Sequence, residues 1–501
     1  MPGDSAVTDV EPFGLIVFLV SVAGLLAVLS SRISERIRIP APAIFLLVAA
    51  AVSDLVPSLR DLPIVTVERL VTVALALILF DGGMHIGWER FRKAAGAVVW
   101  VGVVGTFLTA AAVAVLAHGV FGFDWRIALL IGTALAPTDP AVVFSVLGRR
   151  EIAGRTGVIL EGESGANDPV GIALMVGLIA AGDAGGAHEI GEVAGTFGLQ
   201  MVIGAAVGIG GGALLLAAMR RLPLPSEGLY PLRTLAGALT IYGGAAAAHG
   251  SGFLAVFIAG ILIGDARTPY KGEIERFHAS LASLAEIVAF AVLGLTIDLQ
   301  TLAESDAWWI GLLLACLLAF VVRPVLLGVL LLPVRLRLGE RVFVLWAGLK
   351  GAVPILLGTF LLASGLADAG RAYDVIVVVV AFSVIVQGGL VPTVAARCGV
   401  PMRIVEPEPW SLGVRLRDQP HGLRRYMLVP GAPAEGSRVD DLDLSEDTWI
   451  CFILRDGELV PVRSQTVLQA GDEILALTDP ESGPDPSPIF SAPRPPKASP
   501  G

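Results

Sequence analysis

Long apolar runs almost empty of charge recur from residue 13 to residue 396 of this chain. No other feature of the sequence restricts its fold as much. A bilayer core is roughly 30 Å thick, and roughly 20 mostly apolar residues cross it as a helix. Lipid offers no hydrogen bonds, so a crossing segment must satisfy its own backbone, as a helix does. The runs predict about thirteen spans, at 13–29, 40–56, 66–81, 94–118, 125–147, 156–181, 193–219, 232–248, 252–265, 278–299, 307–332, 342–363 and 373–396. The run at 252–265 is the shortest of them. Composition agrees: 16% of residues are charged, against about 25% in soluble domains. Glycine numbers 59 of 501 residues, near twice its usual share, which suits close helix packing and broken helices.

The loops fix an orientation. Loops on one side carry Arg32, Arg36 and Arg38; Arg90, Arg92 and Lys93; Arg149, Arg150 and Arg155; Arg220, Arg221 and Arg233; Arg267, Lys271 and Arg276; and Arg335, Arg337 and Arg341. The opposite side has only Arg60, Arg69, Arg126 and Arg371, among acids such as Asp183, Glu189, Glu192, Glu304 and Asp306. Cytoplasmic loops are enriched in Lys and Arg. The N-terminus is therefore expected outside, the C-terminus in the cytoplasm, and the protein in the cell inner membrane. The first run follows Asp4, Asp9 and Glu11 rather than basic residues, so it reads as a retained span and not as a signal peptide. The net charge of −10 sits in loops and tail. It includes no basic patch or arm for nucleic acid. Cys316, Cys398 and Cys451 predict no disulfide framework.

Beyond residue 397 the composition changes. Residues 398–412 read as a linker, 413–480 as a small α+β cytoplasmic domain, and 481–501, rich in Pro and Ser, as a disordered tail. Strands are expected at Tyr426–Val429, Trp449–Leu454, Leu459–Val462 and Glu473–Leu477, with a hairpin turn at Arg455-Asp456-Gly457-Glu458.

Ionisable residues inside spans carry the chemistry. Each costs roughly 2.5–3.5 kcal/mol on insertion scales, so it serves a pathway or a paired charge. The candidates are Asp139, Glu163, Asp168, Glu286, Arg323 and Lys350. Asp168 lies near the midplane of the span at 156–181. Ser164 stands at i−4 to it, and Glu163 at i−4 to Asn167, so neighbouring stripes of one helical face carry hydroxyl, amide and two carboxylates. Such a set is too expensive to serve only as polar packing between helices. Gly165 and Pro169 are expected to distort this span and free carbonyls as ion ligands.

One span earlier, Ala136-Pro137-Thr138-Asp139-Pro140 puts two prolines three residues apart. A continuous helix cannot hold both with its hydrogen bonds intact, so a helix broken at mid-membrane is expected. Thr138 offers a hydroxyl and a carbonyl, and Asp139 suits the N-terminus of the second half-helix. Lys350, between glycines and ahead of Pro354, predicts a second broken helix. A buried lysine calls for an acid partner, and Glu163 is the expected one. Glu286 is read as facing a cytoplasmic funnel, and Arg323 as a packing counter-charge.

At these residues the sequence resembles a known family. Glu161-Gly-Glu-Ser-Gly-Ala-Asn-Asp-Pro169, Thr138-Asp-Pro140 and Gly348-Leu-Lys-Gly-Ala-Val-Pro354 resemble motifs of the Na+/H+ exchanger-like cation/proton antiporters. The likeness is to the bacterial NhaP-type branch, and within it to K+/H+ antiporters with a cytoplasmic tail. Residues 436–478 resemble the C-terminal half of the regulator-of-K+-conductance module, the TrkA-C (RCK-C) type, without its nucleotide-binding Rossmann half. The resemblance implies inverted repeats, a dimer-forming scaffold and a mobile core. It implies that Asp168 binds cation or proton alternately, with Thr138, Ser164 and Asp139 completing the cation site. Asn167 would stabilise the crossing, and Glu163 would pair with position 350, where the family more often has Arg. The transported cation, K+ or Na+, would be the only metal. No cofactor or catalytic residue is implied. The C-terminal domain is expected either to sense a small regulatory ligand or to serve dimerisation only. Asn beside one Asp leaves one titrating group, which predicts electroneutral exchange.

Two other classes fit less well. A K+ channel requires a Thr-Val-Gly-Tyr-Gly filter, which the sequence lacks. An intramembrane aspartyl protease is met only by Tyr373-Asp374; Leu262-Ile-Gly-Asp265 lacks a glycine and stands in the wrong order. The histidines show no ligand spacing, and neither a zinc motif nor a P-loop is present.

Overall fold

A computed structural model describes residues 40–56, 63–147, 150–152, 154–181, 187–404, 423–442, 444, 448–455, 458–478 and 486–491. The expected span at 13–29, together with Arg32, Arg36, Arg38, Arg60, Arg149, Asp183 and the turn residues Asp456 and Gly457, lies outside these. The chain divides into two units, Met1–Pro409 and Trp410–Gly501.

The first unit is helical. Its helices are α1 (Ala41–Leu55), α2 (Ile64–Val99), α3 (Gly105–Gly119), α4 (Trp125–Leu135), α5 (Pro140–Leu147), α6 (Arg155–Ala180), α7 (Ala187–Arg221), α8 (Leu229–Ala247), α9 (Gly252–Gly264) and α10 (Lys271–Leu295). They continue with α11 (Leu299–Glu304), α12 (Ala307–Leu317), α13 (Arg323–Leu330), α14 (Leu338–Trp346), α15 (Ala352–Ala363), α16 (Ala369–Phe382) and α17 (Gly389–Cys398). By length and composition, six helical stretches among the described residues are able to cross a membrane: 64–119, 125–147, 191–221, 271–295, 307–330 and 369–398. The helices α1, α9 and α15 are shorter and apolar.

Glycine explains two features of this packing. At Gly87 the backbone takes φ +66° and breaks α2, separating the runs expected at 66–81 and 94–118. A side chain there would be strained, and it would also strike the Asp265 carboxylate, which accepts the Glu89 N–H at 2.6 Å. The short α9 lies backbone to backbone against α2. A Cβ on Gly83 would meet the Phe257 carbonyl, and one on Gly260 the Phe80 carbonyl. Close approach of this kind is how apolar helices gain contact in lipid, where no hydrophobic force drives them together.

Two expectations are corrected here. The helix α6 runs unbroken through Pro169, so no set of carbonyls is released. Only the Gly165 carbonyl loses its donor, because proline has no N–H. Gly165 instead makes room for the Phe257 ring, which a Cβ there would overlap. The segment read as linker contains a strand: β1 (Arg150–Ile152) pairs antiparallel with β2 (Met402–Ile404). Two backbone ladders meet there, a long-range contact that no local pattern announces.

The second unit holds β3 (Leu423–Met427), β4 (Thr448–Arg455), β5 (Glu458–Val460) and β6 (Glu473–Thr478), an antiparallel sheet in the order β3-β6-β4-β5. One face buries Tyr426, Ile453, Ile474 and Ala476 with Leu428, Leu468 and Phe490. Phe490 belongs to α18 (Ser487–Ser491), and its ring lies 5.3 Å from that of Tyr426. This part of the expected tail is thus ordered, because one large aromatic completes the core.

The side chain of Asp472 is fully buried. It accepts from Arg455 Nε and Nη2 at 2.8 Å each and from the Gln469 N–H at 2.8 Å. Burial pushes its carboxyl up, but the Arg455 and Gln469 hydrogen bonds outweigh burial and hold it below the usual range. A group lowered on folding stabilises the fold above its unfolded pKa, about 3.9 for Asp, and that stability is lost as pH falls through the folded value. Asp472→Asn is therefore expected to speed amide exchange in residues 423–478 of the full-length protein at neutral pH, and to flatten the acid dependence of protection seen in wild type.

Candidate ion-binding site

Both expected breaks are present. The first span is helical to Leu135, non-helical through Pro137-Thr138-Asp139, and helical again from Pro140. The second is helical to Trp346 and resumes at Ala352. The two breaks cross each other, and the Asp139 N–H donates to the Leu349 carbonyl at 2.8 Å.

A broken helix leaves unpaired carbonyls at one stump and unpaired N–H groups at the other. The half-helix dipoles make the first stump negative and the second positive. Each is met by an opposite charge. Lys350 Nζ donates to the carbonyls of Ala136 and Pro137 at 3.1 and 3.0 Å. Asp139 Oδ1 accepts the Ala141 N–H at 2.9 Å, capping α5. Asp139 also abuts Gly351, the N-cap of α15, where a Cβ would collide with its carboxylate. One carboxylate therefore serves two half-helix N-termini.

The helix α6 passes this crossing. Asn167 Nδ2 donates to Thr138 Oγ1 at 2.8 Å, and the Thr138 N–H approaches Asn167 Oδ1 at 3.4 Å. Asn167 thus ties α6 to the first break. One turn along, Ser164 Oγ reaches Asp168 Oδ2 at 3.4 Å. Asp168 Oδ1 is sealed from solvent with no hydrogen-bond partner among the described residues. The residue is 6% exposed and within electrostatic reach of both Asp139 and Lys350. The structure brings Asp168, Ser164, Thr138, Asn167, Asp139 and Lys350 to one place.

Glu163 does not pair with Lys350. Its carboxylate is held by Arg323, with Nη1 to Oε1 at 2.9 Å and Nη2 to Oε2 at 3.1 Å. The Arg323 Nε donates to the Leu345 carbonyl at 2.9 Å, and Gly348 packs on the guanidinium plane, where a Cβ would overlap it. The fork of an arginine matches two carboxylate oxygens, whereas a lysine is a point donor. The lysine goes to the carbonyl stump and the arginine takes the acid. Arg323 is more than a packing counter-charge. It was visible in the sequence as an intramembrane charge, but its partner was not.

Sequence reasoning missed Ser383 and Gln387. The Lys350 N–H donates to Ser383 Oγ at 2.9 Å, which donates to Gln387 Oε1 at 2.9 Å. An uncharged i, i+4 pair in an apolar helix gives little warning of such a role.

Residues 22–397 match the family described as sodium/hydrogen exchanger, transmembrane. The chain belongs to the sodium/hydrogen exchanger family. A further match, over residues 423–483, is to the TrkA-C domain. Among relatives of this exchanger, the K(+)/H(+) antiporter NhaP of Alkalimonas amylolytica is 30% identical, over 96% of this chain and 84% of that one. The K(+)/H(+) antiporter NhaP2 of Shewanella sp. (strain MR-4) is 32% identical, over 90% of this chain and 79% of that one. The fold is similar to that of the sodium proton antiporter MjNhaP1 from Methanocaldococcus jannaschii, with TM-score 0.61 and 23% identity over 75% of this chain and 99% of that one.

Proposed function

We propose that the protein exchanges a monovalent cation for H+, with Asp168 as the exchange group. K+ is the favoured cation and Na+ the alternative; the named K(+)/H(+) relatives support the first. One observation carries the reading: a carboxylate oxygen with no partner among the described residues, buried where two broken helices cross. Secondary transporters build their sites at mid-membrane from discontinuous helices. A proton or a desolvated cation satisfies Oδ1 equally well, but only one at a time. Ser164 and Thr138 supply further oxygens, while Asp139, Asn167, Lys350 and the Glu163–Arg323 pair hold the frame.

The wider arrangement belongs to the same proposal. The chain crosses the inner membrane about thirteen times, with its N-terminus outside and its C-terminus in the cytoplasm. It works as a homodimer. Residues 1–397 form the transport domain, and 413–480 form a regulatory domain that takes a small ligand. One titrating exchange group gives electroneutral exchange. In proteoliposomes, a K+ or Na+ gradient is expected to drive proton flux at a rate unchanged when the membrane potential is clamped to different values. Potential-dependent flux would remove the one-for-one stoichiometry. Cation conductance without coupled proton movement would establish a channel instead.

A further inference from the structure

We propose that Ser383, backed by Gln387, is a positioning residue of the ion site: it pins the peptide group at which the two broken helices cross. The inference rests on the antiporter reading above. The peptide group joining Leu349 to Lys350 lies in the non-helical link between α14 and α15. Its carbonyl accepts the Asp139 N–H at 2.8 Å. Its own N–H donates to Ser383 Oγ at 2.9 Å. A trans peptide is planar, and its C=O and N–H point in opposite directions. Asp139 and Ser383 therefore hold one plane from its two sides. Without the Ser383 oxygen that plane is held on one side only, and a buried N–H is left without an acceptor, which costs more than the bond itself contributes.

Ser383 and Gln387 are 1% and 5% exposed. A hydroxyl and an amide so buried cost free energy unless they are bonded. Because Ser383 Oγ accepts from Lys350, its proton is free to donate, and it does so to Gln387 Oε1 at 2.9 Å. Gln387 thus sets the direction of the hydroxyl and leaves a lone pair aimed at residue 350. Each bond in such a chain polarises the next. The same turn holds the other end of the break: the Gln387 carbonyl accepts Trp346 Nε1 at 3.2 Å, and Trp346 is the last residue of α14. This turn, Ser383–Gly388, is π-helical and continues α16. Single π turns inside α-helices are frequent at functional sites. From the pinned peptide the contacts lead to the ion site. Asp139 follows Thr138 in the chain, Thr138 is held by Asn167 at 2.8 Å, and Asn167 precedes Asp168. The Lys350 side chain, which reaches the Ala136 and Pro137 carbonyls, also starts from that peptide. Its four-carbon stem is flexible, so its backbone decides where the ammonium begins. Ser383 therefore acts through the crossing and not on the cation itself.

The test uses full-length protein in proteoliposomes, with cation-driven proton flux titrated against K+ and Na+ at one pH. Amide hydrogen exchange of the purified protein, read on a peptide covering residues 347–351, accompanies it. Ser383→Ala removes the acceptor with little change of size. It is expected to raise the apparent KM for the cation about fivefold, the size of one net hydrogen bond, with the maximal rate within about twofold of wild type. Exchange at 347–351 should quicken in the same variant, and Ser383→Thr, which keeps the hydroxyl, should restore both. Gln387→Leu should raise KM by less. The double variant should match Ser383→Ala alone, because no hydroxyl is left to orient. A wild-type KM in Ser383→Ala overturns the proposal, whatever the exchange rate. So does a lower maximal rate or yield with KM unchanged, the signature of a serine that only packs. Additive effects of the two substitutions overturn the role given to Gln387. If Ser383→Thr fails to fold, the cycle of Ser383→Ala and Gln387→Leu decides. Wild type without coupled flux would sink the antiporter reading itself, an outcome distinct from active wild type with an indifferent variant.

Discussion

Asp168→Asn is expected to reduce cation-driven proton exchange by more than about 100-fold, to background, for K+, Na+ and Li+ alike. The change removes the only ionisable atoms at position 168 while keeping its size. The amide still accepts from Ser164, so the 3.4 Å contact and the packing of α6 survive. Under the proposed exchange, what is lost is the oxygen that would hold a proton in one half-cycle and a cation in the other. Binding energy that acts only on the exchanging species appears in the flux, not in stability. The measurement is pH-jump recovery in inside-out vesicles, with protein amount and melting temperature alongside. Normal recovery in the variant refutes the assignment of Asp168.

The second large effect falls on stability. Removing one member of the Glu163–Arg323 pair strands a charge at a site where both side chains are buried, with 3% and 6% of their surface exposed. Breaking such a pair costs about 3–5 kcal/mol, whereas replacing both members by apolar residues of similar volume is often neutral. Arg323→Met is therefore expected to yield little folded protein, and Glu163→Gln less than wild type. Adding Glu163→Leu to Arg323→Met should restore much of the melting temperature. Lys350→Met in the same assay should leave Glu163 and Arg323 paired and lose less. A double variant as unstable as Arg323→Met alone would show that the pair does more than neutralise itself, through its bonds to the Leu345 and Val344 carbonyls.

Much of this site is legible along the chain. Pro137 and Pro140 announce a break because proline removes a donor wherever it stands. Ser164 and Asp168 announce a shared face because helical spacing is fixed. Gly348 and Gly351 mark close approach, although what approaches, a guanidinium and a carboxylate, is not written beside them. The partner of Glu163 was misassigned. Two buried bases, Arg323 and Lys350, were in view, and choosing between them required knowing which one lay near the carbonyl stump of α4. The contribution of Ser383 and Gln387 was hidden for the same reason, as was the burial of Phe490 in the C-terminal sheet.

The sequence by itself determined the membrane class, the two broken helices and the buried carboxylate at 168. Each follows from local rules: hydropathy over one span, a missing N–H, a period of 3.6 residues. Only the tertiary structure decided which charge answers which. It gave Arg323 to Glu163, Lys350 to the open carbonyls, and Asp139 to two helix ends, and it left Oδ1 of Asp168 without a partner among the described residues. Charge pairing depends on distance through space, and in a chain folded back across a membrane many times, neighbours such as residues 163 and 323 are far apart in sequence.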